Sequence, residues 1–276
     1  MERAADLDPL VDLLRGRRLA VLTGAGCSTE SGIPDYRGEG TVRRARAPLQ
    51  FAEFVGDPAA RRRYWARSVV GWPRLRAARP NAGHAALAAL EAARVVAGLI
   101  TQNVDRLHAA AGSREVVELH GALHEARCLA CGAREARDAL QARLLHENPG
   151  FDARAAEALP DGDAELPAGL VDGFRVVGCQ ACGGDLKPDV VFFGEAVPRA
   201  AREAGGALLR GAEALLVAGS SLTVFSGYRF VREARALGLP VAILTLGPTR
   251  GDGDAQVKVE ARLGEALPAL ASALGA

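Results

Sequence analysis

Four of the five cysteines form two Cys-x-x-Cys pairs, Cys128/Cys131 and Cys179/Cys182, with residues 132–178 between them. In a reducing compartment, thiol pairs at this spacing read as a zinc site rather than as disulfides. Each knuckle is followed by glycine, Gly132 and Gly183-Gly184, as tight metal turns require. Four thiolates complete a zinc tetrahedron and leave no position for a reacting water. The expectation is one structural Zn²⁺. Cys27, the fifth cysteine, has no histidine near it in sequence and reads as a small packing residue.

A second group of residues sits where apolar runs end. Arg18–Thr23 runs into Gly24-Ala25-Gly26, and glycines after a first strand let the backbone approach a pyrophosphate. The third glycine of the dehydrogenase fingerprint is absent, since position 29 is Thr, and Val95–Thr101 is followed by Gln102-Asn103 rather than an acid. Both departures argue against hydride transfer while leaving dinucleotide binding open. Gln102, Asn103, Asp105 and His108 put amide, carboxylate and imidazole groups at one strand end, where open α/β sheets hold ligands. Asn103 capping the next helix and Asp105 favouring its first turn is a compatible reading; His108 reads as structural. His120 also follows a short strand, and an imidazole there can act as a general base, with His124 its competitor. Gly219-Ser220-Ser221-Leu222 offers small hydroxyl residues after another apolar run, suited to phosphate or ribose.

These residues need strands and helices to position them. The pattern predicts strands at Arg18–Thr23, Val95–Thr101, Val116–Leu119, Asp189–Phe193, Leu215–Ala218 and Val241–Leu246. It predicts helices at Leu7–Leu14, Ala82–Arg94, Val104–Ala111, Arg199–Arg210, Gly227–Leu237 and Glu265–Leu274. Fully apolar strands alternating with helices mean a parallel sheet covered on both faces, an α/β class. Gly38–Pro80, Arg-rich and aromatic, reads as a helical insertion, and Leu159–Gly173 as a loop.

The 276 residues suffice for a core without staples, and 24% charged with 49% hydrophobic content is globular. A net charge of +1 disfavours a polybasic nucleic-acid binder. No apolar run approaches the roughly 18 residues of a membrane span, and the N-terminus lacks a signal-peptide core, so a cytoplasmic location is expected.

Taken together, Gly24–Gly38, Thr101–His108, His120-Gly121, the four cysteines, Lys187–Glu195 and Gly219–Leu222 resemble, in order, the sirtuin family of NAD-dependent protein deacylases. Tyr36, Arg63–Arg67 (RYWAR), Gly71–Pro73, Gly227–Phe230, Gly247–Arg250 and Pro160–Asp163 are similar to its class II. The resemblance implies a Rossmann-like NAD-binding domain from residues 1–38, 81–120 and 187–276, a helical insertion at 39–80 and a small zinc domain at 121–186. It implies NAD and an acyl-lysine protein or peptide as reactants, with the acyl oxygen attacking the nicotinamide ribose and nicotinamide leaving. His120 would be the general base, with Asn103 and Asp105 in the nicotinamide pocket and Gln102 at the ribose.

The resemblance further implies cofactor contacts from Gly24, Ala25, Gly26, Ile33, Asp35, Tyr36, Arg37, Val104, Gly219, Ser220, Ser221, Thr245, Leu246, Gly247 and Leu263. Thr245 stands at what reads as the end of the last sheet strand, where the family usually has Asn. Phe193, Gly194 and Glu195 would pair with the substrate backbone. Tyr64 and Arg67, spaced as in a class that removes acidic acyl groups, would read a carboxylate-bearing acyl chain. The expectation is a monomer that needs neither nucleic acid nor membrane. ADP-ribosyl transfer to protein, and a low-turnover NAD sensor or scaffold, remain as alternatives.

Overall fold

The computed structural model describes residues 5–35, 48–151, 166 and 168–276. In chain order its elements are α1 (Asp8–Leu14), β1 (Leu19–Thr23), α2 (Phe51–Gly56), α3 (Pro58–Ala77), α4 (Ala82–Ala92), β2 (Val96–Thr101) and α5 (Leu107–Ala110). Then come β3 (Val116–Glu118), β4 (Gly121–Cys128), β5 (Arg134–Ala136), α6 (Arg137–Glu147), α7 (Ala168–Val171) and β6 (Leu186–Val190). The chain closes with α8 (Arg199–Arg210), β7 (Ala214–Ala218), α9 (Phe225–Ala236), β8 (Val241–Leu244), β9 (Val257–Val259) and α10 (Leu263–Ala273). No helix among the described residues is long and apolar enough to cross a membrane.

The contacts divide the chain into two units. The first comprises Met1–Gly32, Arg79–Leu119 and Val197–Ala276. Its sheet has the order β3-β2-β1-β7-β8-β9, and every pairing is parallel. The reason is visible in the residues: β1 (LAVLT), β7 (ALLVA) and β8 (VAIL) are buried at every position. Strands apolar on both faces are stable only when both faces are covered. One face packs Val21, Leu99 and Leu216 against α1, α4 and α10 through Leu10, Leu87 and Leu267. The other packs Leu22, Ile100 and Val217 with Leu209 of α8 and Phe230 of α9. Parallel pairing also puts the C-terminal ends of β1, β2, β7 and β8 along one edge, the edge where such sheets hold ligands.

The second unit comprises Ile33–Ala78 and His120–Ala196. It has an antiparallel sheet of order β5-β4-β6. Asp57 caps α3 by accepting the Ala59 amide at 2.8 Å, and Pro58 opens the helix where its missing N–H costs nothing. The helix buries Tyr64, Trp65, Val69 and Trp72. Phe54, Tyr64, Trp65, Leu140, Leu144 and Leu186 share one core. Arg137 is almost fully buried, with its guanidinium carbon 5.6 Å from the Trp65 ring and 5.1 Å from that of Trp72.

Several elements differ from the sequence reading. The strand predicted at Asp189–Phe193 lies earlier, at Leu186–Val190, and belongs to the antiparallel sheet rather than the parallel one. The helix predicted over Val104–Ala111 is a single turn, because Arg106 is left-handed (φ 59°) and only Leu107 onward is helical. Strand β4 was not predicted: GALHEARC alternates weakly and is poor in β-branched residues. Strand β9 pairs outside β8, so Thr245 does not end the last strand of the sheet. The stretch read as a loop, Leu159–Gly173, contains the short helix α7 at Ala168–Val171. Its residues 159–165 and 167, with Pro160–Asp163 among them, lie outside the described residues.

Candidate functional site

Gly24, Gln102, Gly219 and Thr245 each follow directly on β1, β2, β7 and β8. The glycines do more than admit a ligand. The Gly26 amide donates to the Gly219 carbonyl at 2.9 Å, and a Cβ on Gly24 would stand 2.8 Å from the Ser220 Cβ. Leu263, the first residue of α10, closes on the same turn: a Cβ on Gly219 would lie 2.7 Å from its Cδ1. Two loops are thus pressed backbone to backbone at the strand ends.

Polar side chains fill the space around them. Gln102 Nε2 donates to Ser220 Oγ at 2.7 Å, and Ser220 Oγ also accepts the Leu222 amide at 3.2 Å. The Gln102 amide packs against α9 at Gly227, where a Cβ would stand 2.4 Å from Gln102 Oε1. Asn103 Nδ2 donates to the Gly24 carbonyl and to Ser28 Oγ, both at 3.0 Å. Ser28 passes its hydroxyl proton toward Asp105 Oδ2 at 2.6 Å. Asn103 is therefore a bridge between loops and not the cap of α5. Asp105 Oδ1 accepts the Leu107 amide at 2.9 Å and does support that turn.

Behind this row lie three buried groups. His108 Nε2 is 2.8 Å from Thr23 Oγ1, and its ring centroid is 4.8 Å from that of His84. Burial, with a smaller contribution from His84, lowers the His108 pKa to about 3. Burial also lowers the pKa of His84, against the opposing pull of Asp105. Burial pushes the Cys27 thiol far above its ordinary value, reinforced by Asp105 and Glu30. Such a thiol is a poor nucleophile at neutral pH.

The sequence reading missed Ser28, Asn81 and His84. The signal for the latter two was local: Asn81-x-x-His84 is a capping box with His in place of the usual Glu or Gln. Asn81 Nδ2 donates to the Cys27 carbonyl at 2.8 Å and so ties α4 to the first loop. The remaining expected contacts of this unit, Ala25, Val104, Ser221, Leu246 and Gly247, lie in the same strand-end loops, Leu246 being exposed. Thr245 is buried, and its amide donates to the Val259 carbonyl at 3.1 Å.

In the second unit, Cys128, Cys131, Cys179 and Cys182 converge, each offering one Sγ within 4.8 Å of the rest. Sγ separations of 3.5 Å (Cys128–Cys182) and 3.8 Å (Cys131–Cys179) match the edge of about 3.8 Å that Zn–S bonds of about 2.3 Å require. A set of four thiols at this spacing fits structural zinc.

His120 opens this unit, and its carbonyl accepts the Val191 amide at 2.9 Å. The next residue must be glycine: Gly121 has φ +73°, and a Cβ would lie 2.1 Å from the Asp189 carbonyl. His124 stacks edge-on against Trp72 at 5.2 Å. The Glu195 carboxylate accepts the Phe192 amide at 2.9 Å and pairs with Lys187 Nζ at 3.0 Å. Phe193 bridges Gln50 in parallel and its carbonyl accepts the Phe51 amide at 2.8 Å, so part of this backbone is already engaged. Tyr64 is 5% exposed, its ring 5.5 Å from those of Phe54 and Phe192. Arg67, one turn later, is half-buried. Ile33 and Asp35 are also partly buried, while Tyr36 and Arg37 lie outside the described residues.

Known proteins are similar to this chain in sequence and fold. The chain is 54% identical to NAD-dependent protein deacetylase 1 of Streptomyces coelicolor, over 98% of this chain and 90% of that one. It is 48% identical to the NAD-dependent protein deacylase Sirt4 of Drosophila melanogaster, over 96% of this chain and 86% of that one. A solved complex of Sir2 with a p53 peptide and NAD⁺ superposes with a TM-score of 0.76 at 28% identity, covering 97% of this chain and 98% of that one. The Sir2 family model matches residues 24–226, from the first glycine loop into α9, and the chain belongs to the Sir2 family.

Proposed function

We propose that this protein is an NAD-dependent protein lysine deacylase, converting acyl-lysine and NAD to lysine, nicotinamide and O-acyl-ADP-ribose. The observation that carries the reading is the row Gln102, Asn103, Ser28 and Asp105 at the C-terminal edge of a parallel sheet, beside a glycine cradle. Solved Sir2 structures of this fold hold NAD⁺ with a p53 peptide, and an acetylated peptide. Bound NAD supplies a ribosyl carbon activated by its nicotinamide leaving group.

Around that chemistry each residue has a task. The strand-end loops with Gly24, Ala25, Gly26, Gly219, Ser220 and Leu263 hold the dinucleotide, and Gln102 orients a ribose. Asn103 and Asp105 line the nicotinamide pocket, their rotamers fixed by Ser28. His120 is the general base that removes a ribose hydroxyl proton, a role suited to an imidazole at neutral pH. Phe193, Gly194 and Glu195 present backbone to the extended substrate, and the Lys187 pair fixes Glu195. Zinc on the four cysteines holds the second unit and makes no bond to reactants. Similarity to class II and a cytoplasmic setting complete the proposal.

The test is acyl-peptide-dependent turnover. Nicotinamide release that requires both NAD and an acylated peptide, with the peptide losing its acyl mass, is the expected result. Nicotinamide release without acylated peptide, with ADP-ribose added to protein, would transfer the reading to ADP-ribosylation.

A further inference from the structure

Among the described residues, one group of side chains besides the four cysteines has the composition of a metal site. Cys27, His84 and His108 each place one ligand atom within 4.8 Å of the others, and all three are buried. They come from the loop after β1, from α4 and from α5, and belong to the first unit. Two imidazoles and a thiol share this buried cluster, and each neutral ring must still satisfy its nitrogens there.

The hydrogen bonds show which atoms are available. Thr23 Oγ1 donates to Thr101 Oγ1 at 2.9 Å. Toward His108 the Thr23 hydroxyl can therefore only accept, and Nε2 of His108 carries the proton at 2.8 Å. That leaves the lone pair on Nδ1, and Nδ1 is buried without a hydrogen-bond partner. A histidine with one nitrogen anchored to an oxygen and the other buried without a hydrogen-bond partner has the arrangement that metal-ligating histidines have. His84 is held loosely: Nδ1 accepts the Asn81 amide at 3.3 Å and Nε2 is 3.5 Å from Ser28 Oγ. Ligation through Nε2 moves the His84 proton to Nδ1 and gives up the long Asn81 contact.

We propose that Cys27, His84 and His108 form a second metal site, for a thiophilic divalent cation of the zinc class, distinct from the four-cysteine site. Binding forms a metal–sulfur bond and breaks the Cys27 S–H bond, releasing that proton to solvent; both histidines enter neutral. The ion brings two positive charges and the thiolate cancels one. Asp105, 7% exposed and electrostatically coupled to both Cys27 and His84, faces the remaining charge. Zinc held by one sulfur and two imidazoles keeps a fourth position, as three-ligand sites do. Its ligand separations are about 3.3–3.8 Å, so the ion would draw the three atoms inward. The same ion would bear on Ser28 and Asp105, and so on the proposed nicotinamide pocket.

The experiment uses the full-length protein with its four-cysteine zinc in place. After addition of Zn²⁺ and removal of excess by gel filtration, metal content should rise from one to two per chain. Added Co²⁺ should give a thiolate-to-cobalt charge-transfer band without release of the first zinc. Cys27→Ala, and separately His108→Gln, should each return the count to one and abolish that band. Wild-type protein that stops at one metal per chain overturns the proposal whatever the variants do. So does a second equivalent that survives in Cys27→Ala, which would put the ion elsewhere.

Discussion

Gly26 and Gly219 are fitted to one another: the Gly26 amide donates to the Gly219 carbonyl at 2.9 Å, and a Cβ on Gly26 would stand 2.9 Å from that same oxygen. The loops after β1 and β7 thereby become a single backbone surface. The absence of side chains here follows from loop packing as much as from any ligand.

This relationship predicts an unequal response to alanine at two glycines of similar conformation. Gly16 has φ +73° with nothing within 4 Å of its Cβ position, whereas Gly219 has φ +66° and a Cβ would meet the Cys27 nitrogen at 2.6 Å. Gly16→Ala should cost about 1–2 kcal/mol, the left-handed penalty alone. Gly219→Ala should add about 1–3 kcal/mol of overpacking and weaken NAD binding. Urea unfolding of both variants, with NAD titration, checks it; equal losses would mean that the two loops move apart freely.

How much of this was legible in the sequence depended on the kind of order involved. The buried strands β1, β2, β7 and β8 were readable because a parallel sheet covered on both faces demands continuous apolar runs. The four cysteines were readable because zinc fixes both ligand type and local spacing. Strand β4 was not, since its partners β5 and β6 make it a strand while its own residues, Ala, His, Glu and Arg, have little preference for one. Nor was the Cys27–His84–His108 cluster, whose members are separated by whole elements and meet only after the sheet forms. Ser28 could not be told from any loop serine until Asn103 and Asp105 were seen on either side of it.

His120 and His124 are separated by their surroundings. His124 packs edge-on against Trp72, whose indole N–H donates to Asp138 at 2.9 Å, so it belongs to a structural cluster. His120→Ala should fold, bind NAD and lose deacylation by about 10²–10⁴-fold, the usual contribution of a general base. His124→Ala should lower the melting temperature and retain turnover per folded molecule. The reverse pattern, a dead His124 variant and an active His120 variant, would exchange their roles.

The resemblance to a class that removes acidic acyl groups would place acyl selectivity at Arg67. The Tyr64 ring is packed among Phe54, Trp65 and Phe192 in the second unit, so its position is fixed by the core. Arg67, three residues on along α3, is only half-buried. If a carboxylate-bearing acyl group is read here, Arg67→Ala should reduce kcat/KM for succinyl-lysine peptides by about 1–3 kcal/mol, the value of a hydrogen bond to a charged group. Acetyl-lysine turnover should change little. Parallel kinetics on the two peptides decide it, and equal losses for both would reduce Arg67 to a residue that packs α3.

Acid should destabilise the first unit from about pH 6.5 downward, where an unfolded histidine takes up its proton. His108 titrates near pH 3 in the folded protein because burial disfavours its cation, against about 6.5 when unfolded. Between these values the unfolded chain binds a proton that the folded chain does not, so stability falls as pH falls. At 1.36 kcal/mol per pH unit, moving from pH 7 to pH 5 should remove about 2 kcal/mol through His108 alone. His84, also lowered by burial, acts with the same sign. Asp254, held low by the Tyr228 hydroxyl and Arg235, keeps its charge throughout this range and contributes nothing to the change. Urea unfolding at the two pH values, in wild type and His108→Gln, measures the difference. Measured before any second metal is added, the variant should lose about 2 kcal/mol less on acidification, and any effect of acid on the four-cysteine zinc is common to both proteins and cancels. An identical pH response in wild type and variant would mean that His108 gains its proton in the fold as readily as in water.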